Sequence, residues 1–143
     1  MMSNANSILK AHNLKSTESR LTILAIFKKN MHALSYNDIE SLLTVKLDRV
    51  TVYRTLKSFE ENGLIHQIYD GSTQVKYALC PAGSCSSHQH KDSHAHFRCD
   101  NCDKTFCLND VVSPITELPE GYQSKSQSVF IQGICKVCNH HKN

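Results

Sequence analysis

The 143-residue chain has no apolar run approaching the ~18–20 residues that a membrane-spanning helix needs. Its first ten residues also lack the basic start and the apolar stretch of a secretory signal peptide. These two absences argue against a membrane protein and predict a cytoplasmic location. In a reducing cytosol, seven cysteines accompanied by nine histidines indicate metal binding rather than disulfide bonds.

The chain also has little excess charge of either sign, with a formal net charge of +3. Up to Cys80, ten Lys and Arg residues stand against seven Asp and Glu residues, and from Pro81 onward the two counts are six and six. Nearly all the cysteine lies in the neutral second half. This asymmetry predicts a mildly basic N-terminal half and a metal-rich C-terminal half with different tasks. So small a charge excess is also what an ordinary solvated surface would show.

Four cysteines form two close pairs, each pair with two residues between its members and 32 residues between the pairs. They are Cys99, Cys102, Cys135 and Cys138. Two such turns can complete a tetrahedral four-sulfur zinc site, which is closed and therefore structural rather than catalytic. The long separation requires a strand or two between the pairs. The alternative is two unrelated turns of reduced cysteine.

The N-terminal half has the apolar periodicity of three helices, over about 19–29, 35–43 and 48–62. Asp48 is the predicted cap of the third helix and Gly63 its left-handed stop. Two β-prone runs follow, at 64–69 and 74–79, with a turn at 70–73 between them. Three helices followed by a hairpin predict a winged helix-turn-helix, whose third helix enters the major groove of DNA.

The outward side of the third helix is predicted to be polar and basic. Its members are Arg49, Thr51, Arg54, Thr55 and Lys57. Arginine pairs with guanine or phosphate, threonine meets a thymine methyl group, and lysine meets phosphate. Tyr53 belongs either to the core or to the DNA-contacting surface. A solvated polar face remains the alternative interpretation of this helix.

Three segments spread along nearly the whole chain carry distinctive motifs. The segment 48–56 (DRVTVYRTL) is followed by 63–66 (GLIH), 14–20 (LKSTESR) lies at the first predicted helix, and 94–102 (HAHFRCDNC) combines histidines with a cysteine pair. These segments resemble the recognition helix and wing entry, the first helix and the histidine–cysteine segment of the ferric uptake regulator family. The combination of Thr-Val-Tyr-Arg, His-x-His and two paired-cysteine turns is specific.

The resemblance implies a metal-dependent, homodimeric bacterial repressor of transcription that binds double-stranded DNA. The expected fold is α+β, with a winged helix-turn-helix domain at 1–80, a linker or inserted loop at 81–93, and a small α/β dimerisation domain with a structural zinc site at 94–143. It also implies that Lys15, Arg20, Tyr53 and Arg54 touch DNA. No enzymatic activity, small organic substrate or membrane partner is expected.

A second, regulatory metal site is expected where the wing, the linker and the start of the second domain meet. The candidate ligands are His66, Cys80, His94 and His96. In zinc-responsive members of the family, a ligand follows the helix-ending Gly by three residues and a Cys follows fourteen later, as His66 and Cys80 do. This nitrogen and sulfur set suits zinc better than iron, and Ala78 stands where iron-type members often carry a carboxylate. An iron- or peroxide-responsive regulator on the same scaffold is the alternative.

The chain departs from the family pattern at several positions. A second histidine–carboxylate site is not expected, because Ser93, Ala95 and Gln127 occupy its places. The inserted segment 81–93 predicts either a mobile loop or an additional store of ligands, and it contains Cys85, His88 and His90. Cys107 is predicted to be buried filler, and His32 is a reserve ligand.

Enzymes are the remaining alternative, and a zinc hydrolase or deaminase is the main one. The order His-Ala-His followed by Cys-x-x-Cys suggests it superficially. A zinc deaminase, however, needs a Glu two residues after its ligating His, and position 96 is His. A thioredoxin-like redox protein is also disfavoured, because Cys99 and Cys102 precede a predicted strand rather than opening a helix.

Overall fold

The structure is a computed structural model that describes residues 2–80, 85–86, 89–90, 94–112, 116–125, 127 and 129–140. The chain divides into two compact units, Met1–His90 and Lys91–Asn143. The helices are α1 (Met2–Ala11), α2 (Glu18–Lys29), α3 (Tyr36–Leu42), α4 (Arg49–Glu61) and α5 (Lys136–His140). The strands are β1 (Leu34–Ser35), β2 (Ile65–Ile68), β3 (Lys76–Leu79), β4 (Cys85–Ser86), β5 (Gln89–His90), β6 (His94–Cys99), β7 (Thr105–Val112) and β8 (Phe130–Gly133).

Each of the three helices predicted in the first unit begins at a side-chain cap. Thr17 Oγ1 accepts a hydrogen bond from the Arg20 amide at the start of α2. Ser35 and Asp38 form a reciprocal capping box at the start of α3. Asp48 Oδ1 accepts the Thr51 amide at the start of α4, 3.2 Å away, and hydrogen bonding to Thr51 holds the pKa of Asp48 below its usual value. The predicted starts of these helices are confirmed.

The recognition helix α4 ends at Gly63, as predicted. Gly63 has a φ of 74°. Its amide donates to the Glu60 carbonyl, and the Leu64 amide donates to the Phe59 carbonyl at 2.8 Å. This pattern satisfies the last carbonyls of the helix and turns the chain directly into β2, and the left-handed backbone that it needs favours glycine.

Helix α1 was not predicted from the sequence. Only a short apolar face marks it, where Leu9 is buried and Ala5 and Ile8 pack against the same core. It ends at Asn13, which has a φ of 60°, and the Leu14 amide donates to the Leu9 carbonyl at 2.8 Å. Burial of that face in the tertiary core, rather than local propensity, accounts for the helix.

The core of the first unit lies between its helices and a three-stranded antiparallel sheet in the order β1-β3-β2. It includes Ile23, Leu24, Ile39, Leu56 and Phe59, all buried. This arrangement of helices on a small sheet is the predicted winged helix-turn-helix. Val50 in the first turn of α4 is apolar but 52% exposed, so it lies outside this core.

The hairpin of the wing is held by an ion pair. Strand β2 ends at Ile68 and β3 begins at Lys76, so the connection is longer than the predicted turn at 70–73. Asp70 in this connection is buried, and its Oδ2 lies 2.7 Å from Lys76 Nζ. The Ser72 amide also donates to Asp70 Oδ1 at 3.0 Å. Asp70 therefore ties the loop back to the strand that follows it.

Replacing Asp70 with asparagine is expected to destabilise the first unit by about 3 kcal/mol, because Lys76 then keeps a largely buried charge without its carboxylate. Urea denaturation followed by far-ultraviolet circular dichroism would measure this change. Glu61→Gln makes the same chemical change at an exposed position and should stay within about 0.5 kcal/mol of the parent chain. Equal stability of the two variants would show that the ion pair does not hold the wing.

The second unit is built on a three-stranded sheet in the order β7-β6-β8. Strands β6 and β7 are antiparallel, whereas β6 and β8 are parallel. Two strands thus lie between the cysteine pairs, as predicted. Among the described residues, no helix combines the length and the apolarity that a membrane span needs.

Of the predicted linker 81–93, the structure describes only β4 and β5, which pair as a short hairpin through Cys85↔His90. His88 lies outside the described residues, as do the side chains of Cys85 and His90. The mobile-loop prediction for this segment therefore stays a prediction.

Candidate metal sites and nucleic-acid interface

The four paired cysteines come together in the second unit. Cys99 ends β6, Cys102 lies in the turn after it, and Cys135 and Cys138 lie just before and within α5. Their four sulfur atoms all lie within 4.8 Å of one another. The parallel pairing of β6 with β8 places Cys99 opposite Gly133. This register brings the second cysteine turn beside the first.

Ionisation within this cluster is uneven. Burial raises the pKa of Cys99, but hydrogen bonds from the backbone amides of Cys102, Cys135 and Asn101 outweigh it and bring the pKa to about 6. A backbone hydrogen bond from Lys104 lowers the pKa of Cys102, while burial and the neighbouring sulfurs raise it further, to about 11. One thiolate therefore forms readily, and further negative charge needs a cation to stabilise it. Four sulfurs at this spacing fit a tetrahedral zinc ion with no open position.

A histidine and a cysteine lie side by side in the first unit. His66 on β2 is 1% exposed and stands opposite Ala78 on β3. Its Nδ1 is 3.3 Å from the sulfur of Cys80, which follows β3 and donates its amide to the Leu64 carbonyl at 2.9 Å. The antiparallel register thus joins two residues that are fourteen apart in sequence. The pair offers one nitrogen and one sulfur, and without a metal it is an ordinary, partly buried hydrogen bond.

A second histidine–cysteine pair lies in the second unit. His96 on β6 is buried and stands opposite Cys107 on β7, and a ring nitrogen of His96 lies within 4.8 Å of the Cys107 sulfur. Cys107 was predicted to be buried filler, but it is half-buried and faces a buried histidine. Its proximity to His96 depends on the register of β6 against β7, which contains an irregularity at His94/Ala95. His94 begins β6, and its side chain lies outside the described residues.

The predicted DNA-contacting side chains of α4 are mostly exposed. Arg49, Tyr53, Arg54 and Lys57 are exposed, and Thr51 is half-buried. The predicted outward position of Thr55 was wrong, because this residue is 5% exposed and its hydroxyl donates to the Thr51 carbonyl at 2.8 Å. The helix turn that carries Thr55 faces the core through Val52, Leu56 and Phe59, as the helical period requires.

Two further predicted contacts lie before and within the start of α2. Lys15 is exposed and Arg20 is half-buried. Arg20 Nη1 donates to the Lys15 carbonyl at 3.0 Å. The hydrogen bond orients the Arg20 guanidinium and keeps the two residues next to each other.

One aromatic residue was not anticipated at this surface. Tyr36, the first residue of α3, stacks on Tyr53 with ring centroids 4.5 Å apart and an interplanar angle of 10°. The Arg49 Cζ lies 5.5 Å from the centroid of the Tyr36 ring. Hydrogen bonding to Tyr36 raises the pKa of Arg49 above its usual value. The contact joins residues on α3 and α4, which no local pattern in the sequence relates.

The fold and the sites together define a class: a winged helix-turn-helix protein with a basic recognition helix and a metal-ligating second unit. The sequence profile of the ferric uptake regulator family matches residues 11–132. The chain belongs to that family. It is accordingly a metal-responsive, DNA-binding regulator of transcription and not an enzyme.

Similar proteins include regulators with different names. The chain is 32% identical over 150 aligned positions to the ferric uptake regulation protein of Haemophilus influenzae, covering 97% of this chain and 95% of that protein. It is 24% identical to the peroxide operon regulator of Bacillus subtilis, covering 94% and 91%. Among solved structures, a zinc uptake regulator complexed with zinc and DNA has the same fold, with a TM-score of 0.65, 22% identity, and coverage of 99% of this chain and 94% of that one. The predicted fold class is confirmed.

Proposed function

We propose that this protein is a zinc-responsive repressor of transcription that binds a palindromic operator as a homodimer. The observation that carries the zinc assignment is the pair formed by the buried His66 and the half-buried Cys80, with nitrogen and sulfur 3.3 Å apart. Sulfur and imidazole donors favour zinc, whereas iron(II) and manganese(II) sites usually include oxygen ligands. The residue opposite His66 is Ala78, which supplies no such oxygen.

The proposed regulatory ligands are His66, Cys80, His94 and His96. Cys107 is an additional candidate, because it stands opposite His96 in the β6–β7 register. The first two belong to the DNA-binding unit and the others to the second unit. One zinc ion can be coordinated by ligands from separate segments of the chain. The proposed effect of this bond is to restrict how the units move relative to each other, so that the recognition helices of a dimer match two operator half-sites.

A simple population argument sets the size of the response. If about 1% of the metal-free molecules hold a DNA-competent arrangement, operator binding is about a hundredfold weaker without metal. A larger competent fraction gives a proportionally smaller response. The proposal therefore requires that the metal-free protein still binds the operator measurably, but with lower affinity than the metal-loaded protein.

The proposed DNA-contacting residues are seven side chains of the first unit. They are Lys15, Arg20, Arg49, Thr51, Tyr53, Arg54 and Lys57. Exposure of Arg49, Arg54 and Lys57 on one helix supports this assignment, because cationic side chains both neutralise phosphates and pair with guanine.

The four-cysteine cluster is proposed to be a structural zinc site that holds the dimerisation unit together. Apolar side chains in this unit are partly exposed, among them Phe130, Ile131 and Val137. A second copy of the chain would remove such surface from water.

Because a repressor acts where the chromosome is, the proposed location is the cytoplasm.

An iron- or peroxide-responsive regulator is the second candidate. It is favoured by the relative from Haemophilus influenzae, a ferric uptake regulation protein, and by the peroxide operon regulator of Bacillus subtilis. Each name states the function of that relative and not the function of this chain. The two candidates share the scaffold and differ in the metal that promotes DNA binding.

A metal titration with DNA binding as its readout separates the candidates. A duplex is first enriched from a random pool by the metal-loaded protein, and its affinity is then measured against buffered free zinc, iron(II) and manganese(II) without oxygen. Zinc is expected to raise the affinity about a hundredfold, at a lower free concentration than the other two metals. Activation selective for iron would replace the zinc assignment by the second candidate. Affinity independent of all three metals would contradict both.

A further inference from the structure

The aromatic pair of Tyr36 and Tyr53 lies where the core of the first unit meets its surface. Tyr53 is 48% exposed, whereas Tyr36 is half-buried and packs against the core. Both rings line an open cleft of about 310 Å³ that Arg49, Asn37 and Gln74 also border. Core packing explains the position of Tyr36 but leaves the largely exposed ring of Tyr53 stacked at the surface, which indicates a task there.

The three side chains constrain one another. The nearly parallel rings of Tyr36 and Tyr53, with centroids 4.5 Å apart, are in a favourable stacking arrangement. The Arg49 guanidinium lies within cation–π distance of the Tyr36 ring. Tyr36 thus contacts both residues, although Arg49 and Tyr53 belong to α4 and Tyr36 belongs to α3. Its own backbone is fixed independently by the capping box of Ser35 and Asp38.

Holding flexible side chains in place before binding strengthens binding. When a long exposed side chain becomes ordered only on complex formation, the loss of its rotamer entropy lowers the affinity of the complex about 2- to 10-fold. Arginine and tyrosine contacts to DNA depend on defined orientations, because bidentate and stacking interactions are directional. A residue that preorders both an arginine and a tyrosine therefore contributes without touching the duplex.

We infer that Tyr36 is a positioning residue of the DNA-binding surface, whose ring holds Tyr53 and Arg49 in the orientation that contacts the operator. This inference rests on the proposed function. It adds a residue from outside the recognition helix, and it makes operator affinity depend mainly on the flat ring of Tyr36 and less on its hydroxyl group.

The test uses the full-length, zinc-loaded protein with two probes: the duplex enriched from a random pool by the parent chain, and a scrambled duplex of the same length. Tyr36→Ala is expected to weaken binding of the enriched duplex about tenfold and to weaken binding of the scrambled duplex less. Tyr36→Phe retains the ring and should bind within about threefold of the parent chain. Tyr36→Leu retains an apolar side chain without a flat ring and should resemble Tyr36→Ala, which covers the case in which alanine unfolds α3.

A double-mutant cycle separates positioning from a direct contact or a structural role. In a Tyr53→Ala background, Tyr36→Ala should cost less than about twofold, because its main partner is already absent. The inference is overturned if Tyr36→Leu binds the enriched duplex as the parent chain does. It is equally overturned if the loss caused by Tyr36→Ala is undiminished in both Tyr53→Ala and Arg49→Ala backgrounds.

Failure of the inference and failure of the proposed function give different results. If the metal-loaded parent chain enriches no duplex from the pool, the proposed function fails and the inference fails with it. If the parent chain binds an enriched duplex in a zinc-dependent way and the Tyr36 variants bind it equally well, only the role of Tyr36 is rejected.

Discussion

Replacing Cys135 with serine is expected to unfold the second unit and to abolish dimerisation. Cys135 is buried in the four-sulfur cluster, where its sulfur lies 3.9 Å from that of Cys102 and its amide donates to the Cys99 sulfur. Structural zinc contributes folding free energy on the order of 10 kcal/mol, whereas a whole domain of this size is stable by only about 5–15 kcal/mol. Loss of one of four thiolates therefore removes most of what holds a small unit in which few of the described apolar residues are buried.

Three measurements on the Cys135→Ser variant check this. Zinc content per chain should fall relative to the parent protein, sedimentation should show monomers, and amide resonances of the second unit should collapse into the range of an unfolded chain. The resonances of the first unit should persist, because its core does not use the cluster. Cys107→Ser is the matched control: it makes the same change in the same unit at a cysteine outside the cluster, and it should retain the fold and the structural zinc. A folded, dimeric Cys135→Ser variant would contradict the structural role.

Replacing Cys80 with serine is expected to abolish the zinc dependence of operator binding while leaving the fold intact. Cys80 supplies the proposed sulfur ligand beside His66 Nδ1. A serine hydroxyl is a much poorer ligand for zinc than a thiolate. The variant should bind DNA as weakly with zinc as the parent chain binds without it, a loss of about a hundredfold. Its structural zinc and its thermal unfolding should match the parent protein.

Affinity for the enriched duplex, measured across buffered zinc concentrations, decides the outcome. Cys85→Ser is the control in the neighbouring segment, and it should keep the zinc response if Cys85 is not a regulatory ligand. A parent-like zinc response in Cys80→Ser would show that the assignment of this ligand is wrong. Loss of the response in Cys85→Ser instead would move the regulatory site into the inserted segment.

Local patterns accounted for most of the first unit. The caps at Thr17, Ser35 and Asp48 and the stop at Gly63 each depend on residues within five positions along the chain. Such interactions are present in any sequence window that contains both partners, so they can be predicted without a tertiary fold. The same reasoning missed α1, whose apolar face is too short to stand out and becomes helical through burial of Leu9.

The residues of the candidate sites likewise divide into those identified from the sequence and those that only the fold brings together. Spacing alone identified the two cysteine turns, and the family resemblance singled out the interval from His66 to Cys80. It did not identify Cys107 as a neighbour of His96, because that pairing depends on the register of β6 against β7 across an irregularity. Nor did it identify Tyr36, whose contacts with Tyr53 and Arg49 are made only when α3 packs beside α4.

By itself the sequence determined which residues can ligate a metal, where α2, α3 and α4 begin, and to which family the chain belongs. These properties reside in residue chemistry and in contacts over short sequence distances. Only the tertiary structure decided which ligands lie together: parallel pairing of β6 with β8 assembles four sulfurs, and antiparallel pairing of β2 with β3 sets His66 beside Cys80. The physical reason is that strand register is chosen by the packing of whole faces, which no short segment contains.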